Sequence, residues 1–298
     1  MIKQDMFSKE KVVEWLRSFQ NGFCSALEQH ESSEKKFQKT QWQRPGGGGG
    51  ETRVLQFGDC FEKAGVNFSE VHGELPESLK EKLQSTETKF FATGVSIVIH
   101  PFSPQVPTFH ANFRYFEQKD RAWFGGGADL TPYVYDEELF QFFHRALKRA
   151  CDSYRQDAYA EYKKICDQYF FIPHREEARG IGGIFFDYLS EDLPKAFDFM
   201  KSSGAAILEA YPSIIEKTKA KSFSEREKDF QLLRRGRYVE FNLVYDRGTK
   251  FGLETKGNIE SILMSLPARV HYEYQAAMEE TESERNLMSV FRKARDWV

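Results

Sequence analysis

Three polar residues that occupy every second position of one segment are the first candidates for chemistry. His110, Asn112 and Arg114 alternate with apolar residues between Phe109 and Phe116. This period of two predicts a β-strand that places the three side chains on one face, over about 13 Å at ~3.3 Å per residue. An imidazole and a guanidinium in a row could move a proton and hold a carboxylate. By itself, the segment favours an ordinary solvated strand face.

A second polar face precedes the first along the chain. Between Phe90 and Pro101 the residues alternate again, which predicts another strand with Ser96 and His100 on the same side. If the two strands are neighbours, their polar sides combine into one floor. This possibility weakens the interpretation of either face as merely solvated.

Four histidines lie in or beside the segments with the clearest patterns, namely His100, His110, His144 and His174. Imidazole groups bind transition metals. The sequence contains no HxH or HExxH spacing, so separate hydrogen-bonded structural histidines are the favoured interpretation and a divalent metal site is the minority one.

Two arginines and two aspartates complete the set of candidates. Arg175 and Arg179, four residues apart, would share one face of a helix. They could clamp a carboxylate, since a planar guanidinium binds that group through two hydrogen bonds, although an Arg/Glu surface lattice explains the same spacing. Asp129 follows a predicted glycine turn and Asp246 ends a predicted strand, where aspartates usually bond turn backbone.

The spacing of apolar residues along the chain predicts the helices and strands that position these candidates. Apolar steps of three and four predict helices that begin near Ser8 and at Asp136, and Ser224 with Glu227 forms a capping box for another. Alternation predicts strands at 90–100, 109–116, 123–124 before a glycine turn, 184–189, 237–246 and 251–254. The five glycines at 46–50 predict a surface loop, and 260–267 a helix. The pattern indicates an α+β fold with a mostly antiparallel sheet, in a single domain over residues 1–298.

Composition restricts the classes of function. The 298 residues carry 42 Lys+Arg against 45 Asp+Glu, a net charge of −3, so no basic surplus supports nucleic-acid binding. No apolar run approaches the ~18 residues of a membrane span, and the charged N-terminus is unlike a signal peptide, which predicts a cytoplasmic protein. Four cysteines without a CxxC pair favour free thiols in a reducing compartment. The 15% aromatic content fits either a Phe-rich core or a pocket for a large flat ligand.

Six motifs in one order carry a family resemblance: WQRPGGGGG at 42–50, AGVNFS at 64–69, GVSIVIHP at 94–101, WFGGGADLTP at 123–132, RGIGGIFFD at 179–187 and RYVEFNLVYDRGT at 237–249. Together they resemble the oxygen-dependent coproporphyrinogen III oxidases. The resemblance runs from about Trp42 to Tyr274, includes the ending RDWV, and is weakest over residues 1–40.

This resemblance implies a reaction and an architecture. Members of the family use O2 to convert the ring A and ring B propionates of coproporphyrinogen III to vinyl groups, which gives protoporphyrinogen IX, CO2 and H2O2 in haem synthesis. They have a large antiparallel sheet between layers of helices and act as homodimers. They need no organic cofactor, whereas bacterial members have been assigned a divalent metal bound by histidines.

Position by position, the resemblance implies that His110 is the proton donor and that Ser96 and Asn112-Phe113-Arg114 bind substrate. A third substrate segment falls at Lys256-Gly257-Asn258, where the family typically ends in arginine. Because Asn258 departs from that pattern, Lys256 could supply the charge instead. The histidines that match those assigned to metal are His100, His110, His144 and His174.

The implied substrate carries four carboxylates, so it requires cations that are concentrated in a cleft of this near-neutral protein. Arg114, Arg175 and Arg179 are the candidates. Asp246, and after it Asp129, could accept the pyrrole N–H groups. Two alternatives use the same residues: a non-catalytic tetrapyrrole carrier, and a histidine-ligated metalloenzyme that acts on another polycarboxylate.

Overall fold

The computed structural model describes residues 7–32, 34–75, 80–81, 86–254 and 257–298, so the predicted binding residue Lys256 lies outside it. The strands are β1 Gln38–Gln43, β2 Gly48–Gln56, β3 Phe61–Glu74, β4 Lys89–Pro101, β5 Thr108–Glu117, β6 Ala122–Thr131, β7 Phe171–Ile172, β8 Glu177–Ala178 and β9 Gly182–Leu189. The helices are α1 Lys9–Glu28, α2 Glu137–Tyr154, α3 Ala158–Tyr169, α4 Leu193–Thr218, α5 Glu225–Val244, α6 Arg247–Glu254, α7 Ile259–Leu263 and α8 Glu282–Arg292, with a 3₁₀ turn at Pro173–Arg175.

Seven strands form one antiparallel sheet in the order β1-β2-β3-β4-β5-β6-β9. The first six are joined as successive neighbours, and β9 adds at the β6 edge after the excursion through α2 and α3. The two short strands β7 and β8 pair with each other. This order places β4, β5 and β6, which carry most of the candidate residues, side by side in the sheet.

One face of the sheet is the main hydrophobic core. Phe109 and Phe113 of β5 point into it, where Phe19 of α1 contacts Phe113 at 5.5 Å and Tyr211 of α4 stacks on Phe109 at 4.5 Å between ring centroids. Helix α1 begins where predicted, because the Ser8 side chain caps it by accepting from the Lys11 N–H. Helices therefore cover this face by burying large apolar rings.

The opposite face, which we call the polar face, carries the candidate residues of β4, β5 and β6. The strand register places Ser96 beside Asn112, Asn112 beside Gly127, and Arg114 beside Gly125. Side chains at alternate positions share a face, so these residues form the single floor that the sequence predicts. Helices α5 and α7 cover its other parts, for example through the 2.6 Å bond between Ser261 and Thr52. The predicted α+β fold, an antiparallel sheet between layers of helices, is confirmed.

Several local predictions are wrong. Residues 237–246 and 251–254 are not strands, since they belong largely to helices α5 and α6. The glycines at 125–127 lie inside β6 instead of forming a turn, and the glycines at 48–50 lie inside β2. Arg175 and Arg179 do not share a helix face, because the chain between them passes from a 3₁₀ turn into β8.

The four cysteines are all free, and three of them are buried. Burial raises the pKa of Cys24, Cys60 and Cys151 to about 12, and it raises that of the fully enclosed Cys166 well above the ordinary value. Among the residues that the structure describes, none of the helices combines the length and apolar character that crossing a membrane requires.

Candidate active site

A buried chain of three charged or titratable side chains lies at one end of the polar face. Asp129 of β6 stands opposite His110 of β5 in the register, and its Oδ1 is 2.7 Å from His110 Nδ1. Arg179 Nη2 donates to both oxygens of Asp129, at 3.0 and 2.8 Å. The carboxylate fixes the Nδ1–H form of the imidazole. Because the His110 side chain is 19% exposed, Nε2 is the atom available to exchange a proton.

The environment of Asp129 keeps it ionised. Complete burial opposes the charged carboxylate, but the attraction of Arg179 and then of His110 holds the pKa of Asp129 below its ordinary value. Arg179 also donates to Asn242 at 2.9 Å, and its guanidinium lies 4.1 Å from the Phe170 ring centroid and 4.3 Å from that of Tyr238. Held by these contacts, Arg179 orients Asp129, which in turn orients His110.

This placement changes two sequence expectations. Arg179 and Asp129 have side chains that are each only 2% exposed, and they bind each other. The structure therefore presents Arg179 to Asp129 and not to a cleft where a ligand carboxylate could reach it, and it presents Asp129 to His110 and Arg179. Asp129 also lies within β6, not after a turn.

Arg114 is a predicted cation that is partly exposed, although it is paired with a carboxylate as Arg175 is. Its Nη1 donates to Asn112 Oδ1 at 3.0 Å, and its Nη2 lies 2.7 Å from Asp187 of β9. The guanidinium is above the Phe185 ring, 5.6 Å from the centroid. The Arg114 side chain is 35% exposed and that of Asp187 is 20% exposed. Asp187 has no signal in the local sequence pattern, because the residue is brought to Arg114 only by the pairing of β9 with β6.

Ser96 and Phe113 lie on opposite sides of the sheet. Ser96 is half-buried beside Asn112 on the polar face, as the alternation predicts. Phe113 belongs to the predicted substrate segment, but its side chain is 1% exposed in the main core between Trp15 and Phe19. Only the backbone of Phe113 contributes to the floor.

Asp246, the first-choice base of the sequence analysis, caps a helix. Its Oδ2 accepts the Thr249 N–H at 2.7 Å at the start of α6, and its Oδ1 accepts from the Tyr169 hydroxyl at 2.9 Å. The next residue, Arg247, is exposed, and its guanidinium lies 4.6 Å from the Tyr169 ring and 5.8 Å from the Phe185 ring. Arg247 is thus a second cation beside Phe185, which the motif at 237–249 contained without indicating its role.

Arg175 is committed to an ion pair at the rim. Its Nε and Nη2 donate to the two oxygens of Glu240, at 2.9 and 2.8 Å, and His174 Nε2 is 2.7 Å from the same carboxylate. Partial burial opposes ionisation, but the hydrogen bonds from Arg175 and His174 lower the pKa of Glu240 to about 2. The Arg175 side chain remains 40% exposed, so a ligand would have to compete with Glu240.

The segment that departs from the family pattern has a structural use. Asn258 caps α7, where its Oδ1 accepts from the Ser261 N–H at 2.9 Å and from the Ser261 hydroxyl at 3.0 Å. Gly257 donates its N–H to the Gly252 carbonyl at 2.9 Å. The amide oxygen of Asn258 is occupied by its own helix, while Lys256 lies outside the described residues.

The four histidines of the predicted metal set have separate partners. His100 is fully buried between Thr108 (3.3 Å) and the Ser265 carbonyl (2.9 Å), and His144 is fully buried with Tyr159 (2.9 Å). His174 bonds Tyr245 and Glu240. Within the described ranges, no group of three or more His, Cys, Asp or Glu side chains is arranged to hold a metal ion. These histidines therefore do not fit a common ligand set, and no step below involves a metal.

The arrangement defines a class of protein. An α+β fold presents an oriented imidazole at the buried end of a polar sheet face and two open guanidinium groups, Arg114 and Arg247, beside Phe185 at the other end. Such a site can hold a flat, apolar ligand by its carboxylates and move protons at one edge of it.

Comparison with known proteins identifies the family. Residues 11–297 match the family described as coproporphyrinogen III oxidase. The chain is 47% identical to an oxygen-dependent coproporphyrinogen-III oxidase of Drosophila melanogaster over 99% of this chain and 79% of that protein. It is 48% identical to proteins of the same name from two Coxiella burnetii strains, Dugway 5J108-111 and RSA 331 / Henzerling II, over 95% of this chain and 94% of each. The chain belongs to the coproporphyrinogen III oxidase family, and the match includes most of α1, which the resemblance seen in the sequence did not reach.

Proposed function

We propose that this protein oxidises coproporphyrinogen III with O2 and converts the propionates of rings A and B to vinyl groups. Each propionate loses its carboxylate as CO2 and one hydrogen from its β-carbon, and two electrons pass to O2. The hydrogen leaves as a proton, and with one further proton the reduced oxygen becomes H2O2. Two such cycles give protoporphyrinogen IX.

The residues of the site have distinct parts in this proposal. Arg114 and Arg247 bind propionates, because guanidinium groups are the strongest carboxylate partners available in proteins. His110 supplies the further proton through Nε2, while Asp129 and Arg179 hold its ring in place. Phe185 is buried beneath the two cations and supports their guanidinium groups from below.

The observation that carries the proposal is the pairing of an oriented histidine with open arginines on one sheet face, in a chain 47–48% identical to proteins named as oxygen-dependent coproporphyrinogen-III oxidases. The substrate itself can supply the electrons, since a porphyrinogen is electron-rich enough to react with O2 directly. The protein then needs to orient, desolvate and protonate. We accordingly propose that O2 is the co-substrate and that no organic cofactor takes part.

The assembly and location are part of the same proposal. We propose that residues 1–298 form one domain, that two copies form a homodimer, and that the protein works in the cytoplasm. The exposed apolar side chains Leu243, Val244 and Ile259 on α5 and α7 support a partner surface. The four free cysteines support a reducing compartment.

The test is a turnover assay on the full chain after treatment with a chelator. Coproporphyrinogen III is supplied in air, and CO2, H2O2 and protoporphyrinogen IX are measured together with an Arg114→Ala control. We expect about two CO2 and two H2O2 per protoporphyrinogen, in line with the balance above.

Two other results would replace the proposal, and a third would change the assignment of its binding residue. Tight porphyrinogen binding without CO2 indicates a carrier. Activity that returns only when a divalent metal is added back indicates a metal-dependent enzyme. Full activity of Arg114→Ala removes Arg114 from the site.

A further inference from the structure

Three aspartates lie along or beside the polar face, and their carboxylates differ in the hydrogen-bond partners that they already have. Asp129 is enclosed by Arg179 and His110, and Asp246 is bonded by Tyr169 and the start of α6. Asp187 contacts Arg114 at 2.7 Å and accepts the N–H of its neighbour Tyr188 at 3.0 Å. The Asp187 side chain is 20% exposed beside Arg114, whereas that of Asp129 is only 2% exposed.

A β-bulge aims Asp187 across the floor. Gly126 pairs with Phe186 and Phe124 pairs with Leu189, so Asp187 and Tyr188 together oppose the single residue Gly125. Tyr188 takes a positive φ of 56°, which a non-glycine residue rarely adopts. Bulges of this kind redirect a side chain, and strained backbone concentrates where function requires it.

Gly125 shows that the floor is shaped around this pair. A Cβ atom at position 125 would lie 2.6 Å from Asp187 Oδ1 and 2.9 Å from Arg114 Nε. Both distances are shorter than real Cβ contacts, so a side chain here would move the flexible ends of Asp187 and Arg114 away from their present positions. The bulge on β9 and the glycine on β6 therefore serve the same placement from two strands.

A carboxylate beside the cation that binds a propionate needs an explanation, because it weakens the attraction of Arg114 for another anion. The centre of a porphyrinogen provides one. Its four pyrrole rings are joined by saturated bridges, so their N–H groups can tip toward one face and require an acceptor there. An ionised carboxylate is the strongest acceptor that a protein side chain offers.

We propose that Asp187 accepts hydrogen bonds from the pyrrole N–H groups of the bound porphyrinogen, and that Arg114 and the bulge hold it in that position. This inference rests on the proposed function. It assigns to Asp187 the part that the sequence analysis gave to Asp246 and Asp129.

The test compares two ligands that carry the same four propionates. Coproporphyrinogen III, held without O2 so that it cannot turn over, can tip its N–H groups out of the ring plane. The oxidised coproporphyrin III is flat, and its remaining N–H groups lie in the plane. Asp187→Asn should weaken binding of the porphyrinogen by about ten- to a hundredfold, the loss expected for charge-assisted hydrogen bonds. Porphyrin binding should not weaken, because the loss of the Asp187 charge removes the anion that competes with the propionates for Arg114. Quenching of tryptophan fluorescence measures both affinities.

Two variants serve as controls. Asp152→Asn removes a carboxylate from an exposed pair with Lys148 and should change neither affinity. Arg114→Ala should weaken both ligands together, because both use propionates. Thermal unfolding checks each protein, and Asp187→Ser provides the same comparison if Asp187→Asn does not fold.

Two results overturn the inference while leaving the proposed function intact. Equal loss of both ligands in Asp187→Asn means that the residue acts only through Arg114, and unchanged binding of both means that it does not touch the ligand. If the wild-type protein releases no CO2 in air, the proposed function itself has failed.

Discussion

Two Arg–Asp pairs lie on the same face of the same sheet, but they differ in solvent exposure and in the role that we propose for each. The pair of Arg179 and Asp129 is closed, with both side chains 2% exposed, whereas the pair of Arg114 and Asp187 is open, at 35% and 20%. The closed pair is enclosed by aromatic rings and holds His110. The open pair rests on glycine backbone and one ring. A buried pair gives fixed geometry, and an exposed pair can exchange partners with a ligand.

The largest effect should come from breaking the closed pair. Asp129→Asn keeps the shape but leaves Arg179 as a buried cation without its counter-charge, which costs about 3–5 kcal/mol of unfolding free energy. Denaturant unfolding measures this loss, and activity should fall with it because His110 loses its fixed orientation. A loss of activity with wild-type stability would mean that Asp129 acts on the ligand and not on the fold.

Breaking the open pair should affect the ligand more than the fold. Arg114→Ala leaves a propionate without its partner, which costs about 2–5 kcal/mol in kcat/KM. The free energy of unfolding should change by less than about 1 kcal/mol, because the pair is exposed to solvent. Steady-state kinetics and denaturant unfolding of the same preparation separate the two effects. Unchanged kinetics would contradict the assignment.

The floor beneath the open pair can be altered without touching either charge. Gly125→Ala places a methyl group against the flexible ends of Arg114 and Asp187, so the cost to stability should lie below the about 1–3 kcal/mol of overpacking in a core. We expect KM to rise, with kcat less affected. Gly248→Ala is the matched control, since a Cβ there would meet only Asp246 at 3.2 Å. Equal effects of the two substitutions would show that the placement of Gly125 is not special.

A third ion pair, between Arg175 and Glu240, should make the stability of the fold depend on pH. The folded-state pKa of Glu240, about 2, lies below the ordinary value of 4.5. Ionised Glu240 therefore stabilises the fold above about pH 4.5, and the contribution disappears as the pH falls toward 2. Glu240→Gln should cost about 1 kcal/mol at neutral pH, since Arg175 is partly solvated. Unfolding at several pH values checks this, and a constant difference across that window would contradict it.

The smallest effect should come from Arg247, the second open cation. Its guanidinium is exposed above Tyr169 and Phe185, and contacts of a charge at the rim are worth about 0.2–1 kcal/mol. Arg247→Ala should therefore raise KM by about two- to fivefold, and added salt should reduce the difference. Arg285→Ala, on α8 away from the site, is the control. An effect as large as that of Arg114→Ala would show that Arg247 contributes as much to propionate binding as Arg114 does.

The sequence predicts the strands of the floor because their burial has a clear period. Val95, Ile97 and Ile99 enter the core and Ser96 does not, so β4 is visible as alternation. Helix starts are visible for a different reason. Ser8, Asp136 and Ser224 each accept a backbone N–H at the first turn, as their residue types predict.

Helix α5 was predicted only at its start because its interior breaks the usual pattern. Phe230, Arg234, Tyr238 and Phe241 follow a helical spacing, but two of the most buried side chains of the segment are Arg234 and Arg235. They are inside because Glu177 and Glu62 pair with them. A buried cation with a distant partner cannot be recognised as core, and the remaining alternation of 237–246 then indicates a strand.

Site residues that share one strand can be predicted from the sequence. Residues that come together only through the pairing of distant strands cannot. His110, Asn112 and Arg114 lie on β5 and follow directly from alternation. Asp187 reaches Arg114 through the pairing of β9 with β6 and through a bulge. That register depends on contacts between segments about 60 residues apart, which a local pattern does not contain.

The burial of the cysteine thiols matters for the proposed reaction, because one of its products is H2O2. Peroxide oxidises thiolates, and a thiol whose pKa is raised to about 12 is almost entirely protonated at neutral pH. Cys166 packs with Phe170 and Phe185, and its complete burial raises the pKa of the thiol well above the ordinary value. Under the proposed reaction, which releases H2O2 at every turnover, burial keeps these thiols protonated and so slows their oxidation.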